Sequence, residues 1–483
     1  MLNAGQTAAI SVLALLGCAA ASTRRGTAAL GSGGGGTAGG PTEIARAPLG
    51  ALTVSKWRLG NGLEIVLLPD PRATAVSYMT WFRVGSRNED AAAGETGLAH
   101  LFEHLMFTQT KNSEPNAFDN KMDAVGGSNN AMTYYDFTAY VDDVPPAELG
   151  VAIGLESDRM VNLDLRKKQV ETERDVVAEE RLSSVEDNVD GILDELMYKQ
   201  AFKTHPYRWP VIGSMKDIKA MTQETAIAFY KKYYAPNNAV LVVAGKIEET
   251  PTLAAIAAAY GNIPPSKKLP ADTIKPERAP AAEVRTTIER PVPADKLVIG
   301  FPAPALGAPD RAAYEVMNEL LAGGASSRLN RALVVERQWA SSVHGDIAPT
   351  RDPGLYAIWI QLMKGHTAEE AERLVVAAVE ELAAHPVSDA ELGKAAARME
   401  TEFWKQLGSS HGRAETIGAF EIATGDFRTL LARGAEYPRV SAADVQNAAA
   451  TYLATGARSV VVARPVQEPV QEQGRDATKA AAQ

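Results

Sequence analysis

Two valine-rich segments, far apart in the chain, end in the same way. "YAPNNAVLVVAG" (234–245) and "YLATGARSVVVA" (452–463) each run from a tyrosine through a turn into an apolar strand. A short apolar run bounded by turn residues fits a strand buried in the middle of a sheet. Two such endings restrict the chain to two distantly repeated α+β domains of similar size, each closed by its own valine-rich strand. A length of 483 residues leaves room for two separate cores. Between them, "IPPSKKLPADTIKPERAPAA" (263–282) has the prolines and charges of a linker. The expected layout is a first domain over 51–262, a linker over 263–285, a second domain over 286–465 and a polar, disordered tail over 466–483.

Within the first domain, "LEIVLLPD" (63–70) and "AVSYMTWFRVG" (75–85) predict strands, and "NAMTYYDFTAYV" (130–141) predicts another. Helical patterns cover about 97–107, then "FDNKMDAVGG", then Pro146 to Met197. The second domain offers strands at 296–301, 354–362 and 458–464, with helices across 310–335 and 367–452. The expected fold class is α+β, each domain a mostly antiparallel sheet packed with helices.

The N-terminus reads differently. The apolar run from Ala8 to Gly17 is too short to span a bilayer and suits a signal peptide over 1–17, although this stretch has no Lys or Arg. "LLGC" (15–18) is similar to a bacterial lipobox, which makes Cys18 the expected lipidated N-terminus. The glycine-rich stretch over 18–50 then serves as a tether. Ala19 after Cys18 points to the outer membrane, so the expected location is periplasmic and lipid-anchored, with no other membrane contact. Cys18 is the single cysteine, so no disulfide forms within the chain. A net charge of −10 with interspersed acids and bases gives no footprint for nucleic acid.

The chemistry concentrates in "GLAHLFEHLMF" (97–107). On a helix His100 and His104 project from one face, one turn apart, where two imidazoles can converge on one zinc ion, and Glu103 adjoins them. Leu101, Phe102, Leu105 and Met106 mark this helix as largely buried, and burying two histidines and a carboxylate without a partner is costly. A zinc site needs a third protein ligand. The acidic helix "QVETERDVVAEERL" (169–182) offers Glu173 and Glu180 two turns apart on one face, but spacing alone does not choose Glu180 over Glu179.

Together with "LGNGLEIVLLPD", "GSRNE", "NNAMTYYDFTAY", "HPYRWPVIGSMKDI" and "YYAPNNAVLVVAG", these motifs resemble the pitrilysin/insulinase family of zinc metallopeptidases, the inverzincins, over about residues 54 to 465. The family carries His-x-x-Glu-His and a glutamate roughly 75 residues on; here Glu180 lies 76 positions after His104. The resemblance implies one zinc held by His100, His104 and Glu180, with Glu173 as supporting acid and Glu103 as general base for the attacking water. It implies that Asn130 and Ala131 lie on a strand edge that pairs with the substrate backbone, and that unfolded peptides are cleaved inside a clamshell of which this chain is one half. "NELLAGGASSRL" (318–329) stands where a second zinc motif would be.

The pattern breaks at one point. Many self-sufficient relatives place an arginine and, seven residues later, a tyrosine where this chain has Val334 and Ser341. Neither can steady an oxyanion, and Arg331 is the one nearby candidate to compensate. The expectation is therefore a zinc-bearing subunit paired with a homologous zinc-less subunit that supplies the arginine and tyrosine, with a homodimer as the other reading. A non-catalytic structural or assembly subunit of the same fold is the functional alternative.

Overall fold

The computed structural model describes residues 40–278 and 280–466; the expected signal peptide, Cys18, most of the tether and nearly all of the polar tail lie outside them. The chain enters on β1 (Thr42–Leu49) and turns at Gly50, whose φ of +59° suits glycine, into β2 (Leu52–Arg58). This corrects the expectation of a tether through residue 50. β1 is an outermost strand with mostly exposed side chains, so it lacks a strand's hydrophobic signature. Its ladder to β2 and the reach of Arg46 to Glu43 and Glu249 hold it in place.

These two strands join β3 (Glu64–Pro69), β4 (Val76–Phe82), β5 (Ser128–Thr133), β6 (Thr138–Val144) and β7 (Ala239–Gly245) in a mixed sheet ordered β1-β2-β3-β7-β4-β6-β5. The wholly buried "AVLVVAG" of β7 lies inside it, parallel to β3 and antiparallel to β4. The stretch expected as one strand over 130–141 is instead the hairpin β5–β6, closed by Tyr134 N–H donating to Phe137 O at 2.8 Å. Asp136 breaks the run: in the turn its carboxylate meets Arg87 at 3.2 Å and accepts from the Tyr207 hydroxyl at 2.8 Å, partners that a strand position would deny it.

Eight helices of this domain concern the site: α1 (Leu98–Leu105), α2 (Ala117–Ala124), α3 (Leu149–Asn162), α4 (Lys167–Arg181), α5 (Val189–Ala201), α6 (Met215–Ala220), α7 (Gln223–Tyr233) and α8 (Glu249–Tyr260). Residues of α1, α3, α7 and α8 bury one face of the sheet around Tyr78, Phe82, Phe102 and Tyr140. The segment expected as one helical pattern over 146–197 is broken at Leu163 and again by a π-helical turn, Leu182–Glu186.

The second sheet contains β8 (Val284–Arg290), β9 (Lys296–Ala303), β10 (Ala340–Ile347), β11 (Gly354–Leu362) and β12 (Ser459–Pro465), ordered β10-β11-β9-β12-β8. β12 runs parallel to β8 and antiparallel to β9, as β7 does to β3 and β4. Five strands of the first sheet thus recur in the second in the same order and sense. α9 (Arg311–Leu321) occupies the place of α1, between the second and third strands of this set.

The second domain also covers the other face of the first sheet. Its helix Ser410–Thr424 packs on β4 and β7, and a Cβ on Gly418 would lie 2.1 Å from the Trp81 ring. One apolar cluster therefore contains Val66, Met79 and Trp81 together with Tyr314, Ile358 and Phe420.

Candidate metal centre

α1 has only eight residues, too few to be stable alone, so its neighbours must hold it. Leu98, Leu101, Phe102 and Leu105 are buried, and the Tyr140 hydroxyl donates to Phe102 O at 2.9 Å. Its cap residue is Gly97, with φ +95° and no side chain to offer. Buried Glu89 fills that role from eight residues upstream, accepting Gly97 N–H at 2.9 Å and Ala99 N–H at 2.8 Å. Burial pushes the Glu89 carboxyl well up from its usual range, against the pull of these two amides.

Across from α1, α4 brings Glu180 and Glu173 to the histidines. Glu180 Oε1 lies 3.7 Å from His100 Nε2, and Glu180 Oε2 lies 3.4 Å from His104 Nε2. Glu173 stands 3.8 Å from His104 Nδ1 and accepts from Gln169 Nε2 at 2.9 Å. Glu179 is exposed, and it is Glu180 that faces the two histidines. His100, His104 and Glu180 are the one such cluster among the described residues, their ligating atoms all within 4.8 Å of one another. Ligands around a tetrahedral zinc at 2.0–2.1 Å stand about 3.3–3.4 Å apart, near the two distances Glu180 makes to the histidines. The residues present fit the metal.

The charges point the same way. Burial lowers the His100 pKa, against the pull of Glu103 and Glu180, and favours the neutral imidazole that a metal needs. Burial opposes the charge on His104 too, but Glu173 and Glu180 outweigh it and raise the pKa to about 9. Burial pushes Glu180 up while the two histidines, His104 first, bring it below its usual value. Glu103 is half-buried and makes no hydrogen bond or ion pair among the described residues, and its charge acts on both His100 and His104.

Among the described residues, β5 has β6 on one side and no strand on the other. Asn130 is exposed there, and its Oδ1 accepts the Ala131 N–H at 2.9 Å. In the second domain α9 carries no histidine. Val334 is half-buried in the π-helical turn Arg331–Glu336, and Ser341 donates to Gln361 O at 3.2 Å. Arg331 points to solvent, 71% exposed, and pairs with Glu336 at 2.9 Å.

Glu89 is a supporting residue of α1 that sequence reasoning missed. Glu89 lay inside the quoted "GSRNE", but capping rules look only three residues from a helix start, and this cap acts from farther away.

Two family models match in series: residues 64–214 fit that described as insulinase (peptidase family M16), and residues 220–399 that described as peptidase M16 inactive domain. The zinc protease PqqE of Helicobacter pylori is 28% identical over 410 residues, spanning 84% of this chain and 92% of the relative. An uncharacterized zinc protease of Mycobacterium tuberculosis is 28% identical over 407 residues, with the same two shares of 84% and 92%. The crystal structure of a protease from Helicobacter pylori is similar with a TM-score of 0.82 and 27% identity, covering 85% of this chain and 99% of that one. With both halves matched in order and the fold shared over 85% of its length, the chain belongs to the insulinase family, peptidase family M16.

Proposed function

We propose that this chain is a zinc-dependent endopeptidase acting on unfolded peptides, with one zinc held by His100, His104 and Glu180. The observation that carries this reading is the convergence of those three side chains beside a carboxylate, Glu103, that makes no hydrogen bond or ion pair among the described residues. Relatives named as zinc proteases support it. Zinc in this position supplies Lewis-acid chemistry, polarising a carbonyl and lowering the pKa of water. Glu103 takes the proton of the attacking water on a carboxylate oxygen and delivers it to the departing amine. Glu173 orients His104 through Nδ1, so that Nε2 faces the metal. The open edge of β5 holds the substrate as an added strand, Ala131 N–H turning from Asn130 Oδ1 to the peptide.

The oxyanion partners missing at Val334 and Ser341 favour a homologous zinc-less subunit that supplies them; a homodimer is the other arrangement. The apolar run before Cys18 supports export and attachment to the outer membrane through that cysteine.

The test is hydrolysis of a quenched fluorescent peptide by the zinc-loaded protein without a partner, beside Glu103→Gln. Cleavage by the parent, with a loss of about 10²–10⁴-fold in the variant, supports a self-sufficient peptidase and removes the need for a second subunit. Silence from the parent, relieved by adding a zinc-less homologue, supports the pair. Silence in both settings favours the non-catalytic assembly subunit.

A further inference from the structure

The two ligand-bearing helices come from distant parts of the chain, and something must fix the gap between them. Arg181 follows Glu180 directly and is buried. Its Nη1 donates to Gly213 O at 2.6 Å, its Nη2 meets Glu195 Oε2 at 2.8 Å, and Nε lies 3.4 Å from Glu186 Oε1 in the π-helical turn. Gly213 in turn is pressed against the start of α1. A Cβ there would lie 2.2 Å from Thr96 O and 2.5 Å from Gly97 Cα, and one on Gly97 would lie 2.5 Å from Ile212 O. Both glycines have positive φ, +83° and +95°. Ser214 N–H donates to Thr96 Oγ1 at 3.1 Å, and Thr96 is bound in turn to Asp217 at the start of α6. A continuous path therefore runs from Glu180 through Arg181 and Gly213 to Gly97, three residues before His100.

From this path we infer that Arg181 is a positioning residue of the metal centre. It sets the distance between α4 and α1 and so the convergence of Glu180 on the two histidines. Metal ligands tolerate errors of only about 0.2 Å, a margin that side-chain packing between two helices does not guarantee. The guanidinium suits the task because its planar fork donates to a carbonyl and a carboxylate in different directions at once, with a second carboxylate beside Nε. Without Arg181, the carbonyl of Gly213 and the α4 helix lose their tie, and Glu180 is free to drift while both histidines stay in place.

The inference rests on the metal reading above, so the test separates the two. Zinc affinity of the full chain is measured by competition with a chromophoric chelator for the parent, His104→Ala, Arg181→Met, Arg181→Lys and Glu195→Gln. The melting temperature of each metal-free form is recorded alongside. We expect Arg181→Met to weaken zinc binding roughly tenfold or more, as loss of a supporting contact typically does. Arg181→Lys should recover part of that loss, and Glu195→Gln should weaken binding less than Arg181→Met. Equal affinity in the parent and the Arg181 variants, even with lowered melting temperatures, overturns the inference and leaves the metal reading standing. If Arg181→Met does not fold, unchanged affinity in both Arg181→Lys and Glu195→Gln overturns it equally. A parent that binds zinc no better than His104→Ala overturns the metal reading, and the inference with it.

Discussion

Glu179 and Glu180 are adjacent in sequence and chemically identical, yet one is exposed and the other meets both histidines. Helix α4 rotates 100° per residue, so its phase against α1 assigns the roles, and that phase is a tertiary property. The histidines were legible because their partner is local, one turn away on the same short helix. Glu89 was not legible, since its carboxylate reaches α1 from outside any capping motif. It is the one side chain that satisfies the opening amides of that helix among the described residues. Glu89→Ala should cost about 1–2 kcal/mol, read as a lowered midpoint in urea unfolding, while Glu89→Gln should cost less because its amide oxygen still accepts.

At the scale of elements, the buried strands announced themselves and the outer ones did not. β3, β4, β7, β9, β11 and β12 are apolar runs with turn residues at their ends, and each lies where its pattern predicts. β1, β8 and β10 carry Thr, Glu, Arg, Ser, His and Asp on half-exposed edges, so composition gave little sign of them. The hairpin β5–β6 was hidden by its aromatic turn, whose only warning was Asp136. The glycine contact at the mouth of α1 yields a sharper expectation. Gly213→Ala forces a side chain into the Thr96 carbonyl at a positive φ, and it should lower stability by about 1–3 kcal/mol. A melting temperature unchanged from the parent would contradict that packing.

Across the whole molecule, the two domains behave as one body because helix Ser410–Thr424 of the second completes the core of the first. Charges join them as well. Lys56 on β2 lies 3.0 Å from Glu64 and also binds Glu421 of that helix, with Arg83 and Arg58 beside Glu64. Burial pushes Glu64 up, but Arg83, Arg58 and Lys56 outweigh it and hold the carboxyl at about 2. The folded value lies below the ordinary 4.5, so this charge stabilises the fold above about pH 4.5 and its contribution is lost as pH falls through about 2. Glu64→Gln should therefore cost about 2 kcal/mol at neutral pH, and the gap from the parent in urea unfolding should close on acidification. A gap that stays constant down to pH 3 would count against this assignment.

The strand order also fixes where the molecule can be held. β1 and β5 stand at opposite ends of the seven-stranded sheet. Six strand spacings of about 4.8 Å put them roughly 29 Å apart. The chain before Thr42 joins the heel of the sheet, while the edge proposed to take a peptide is at its toe. A tension applied through the N-terminus acts across β1 and β2, unzipping the ladder farthest from the histidines first. A chain held to a surface by that end can be tugged there with the proposed peptide edge left undisturbed.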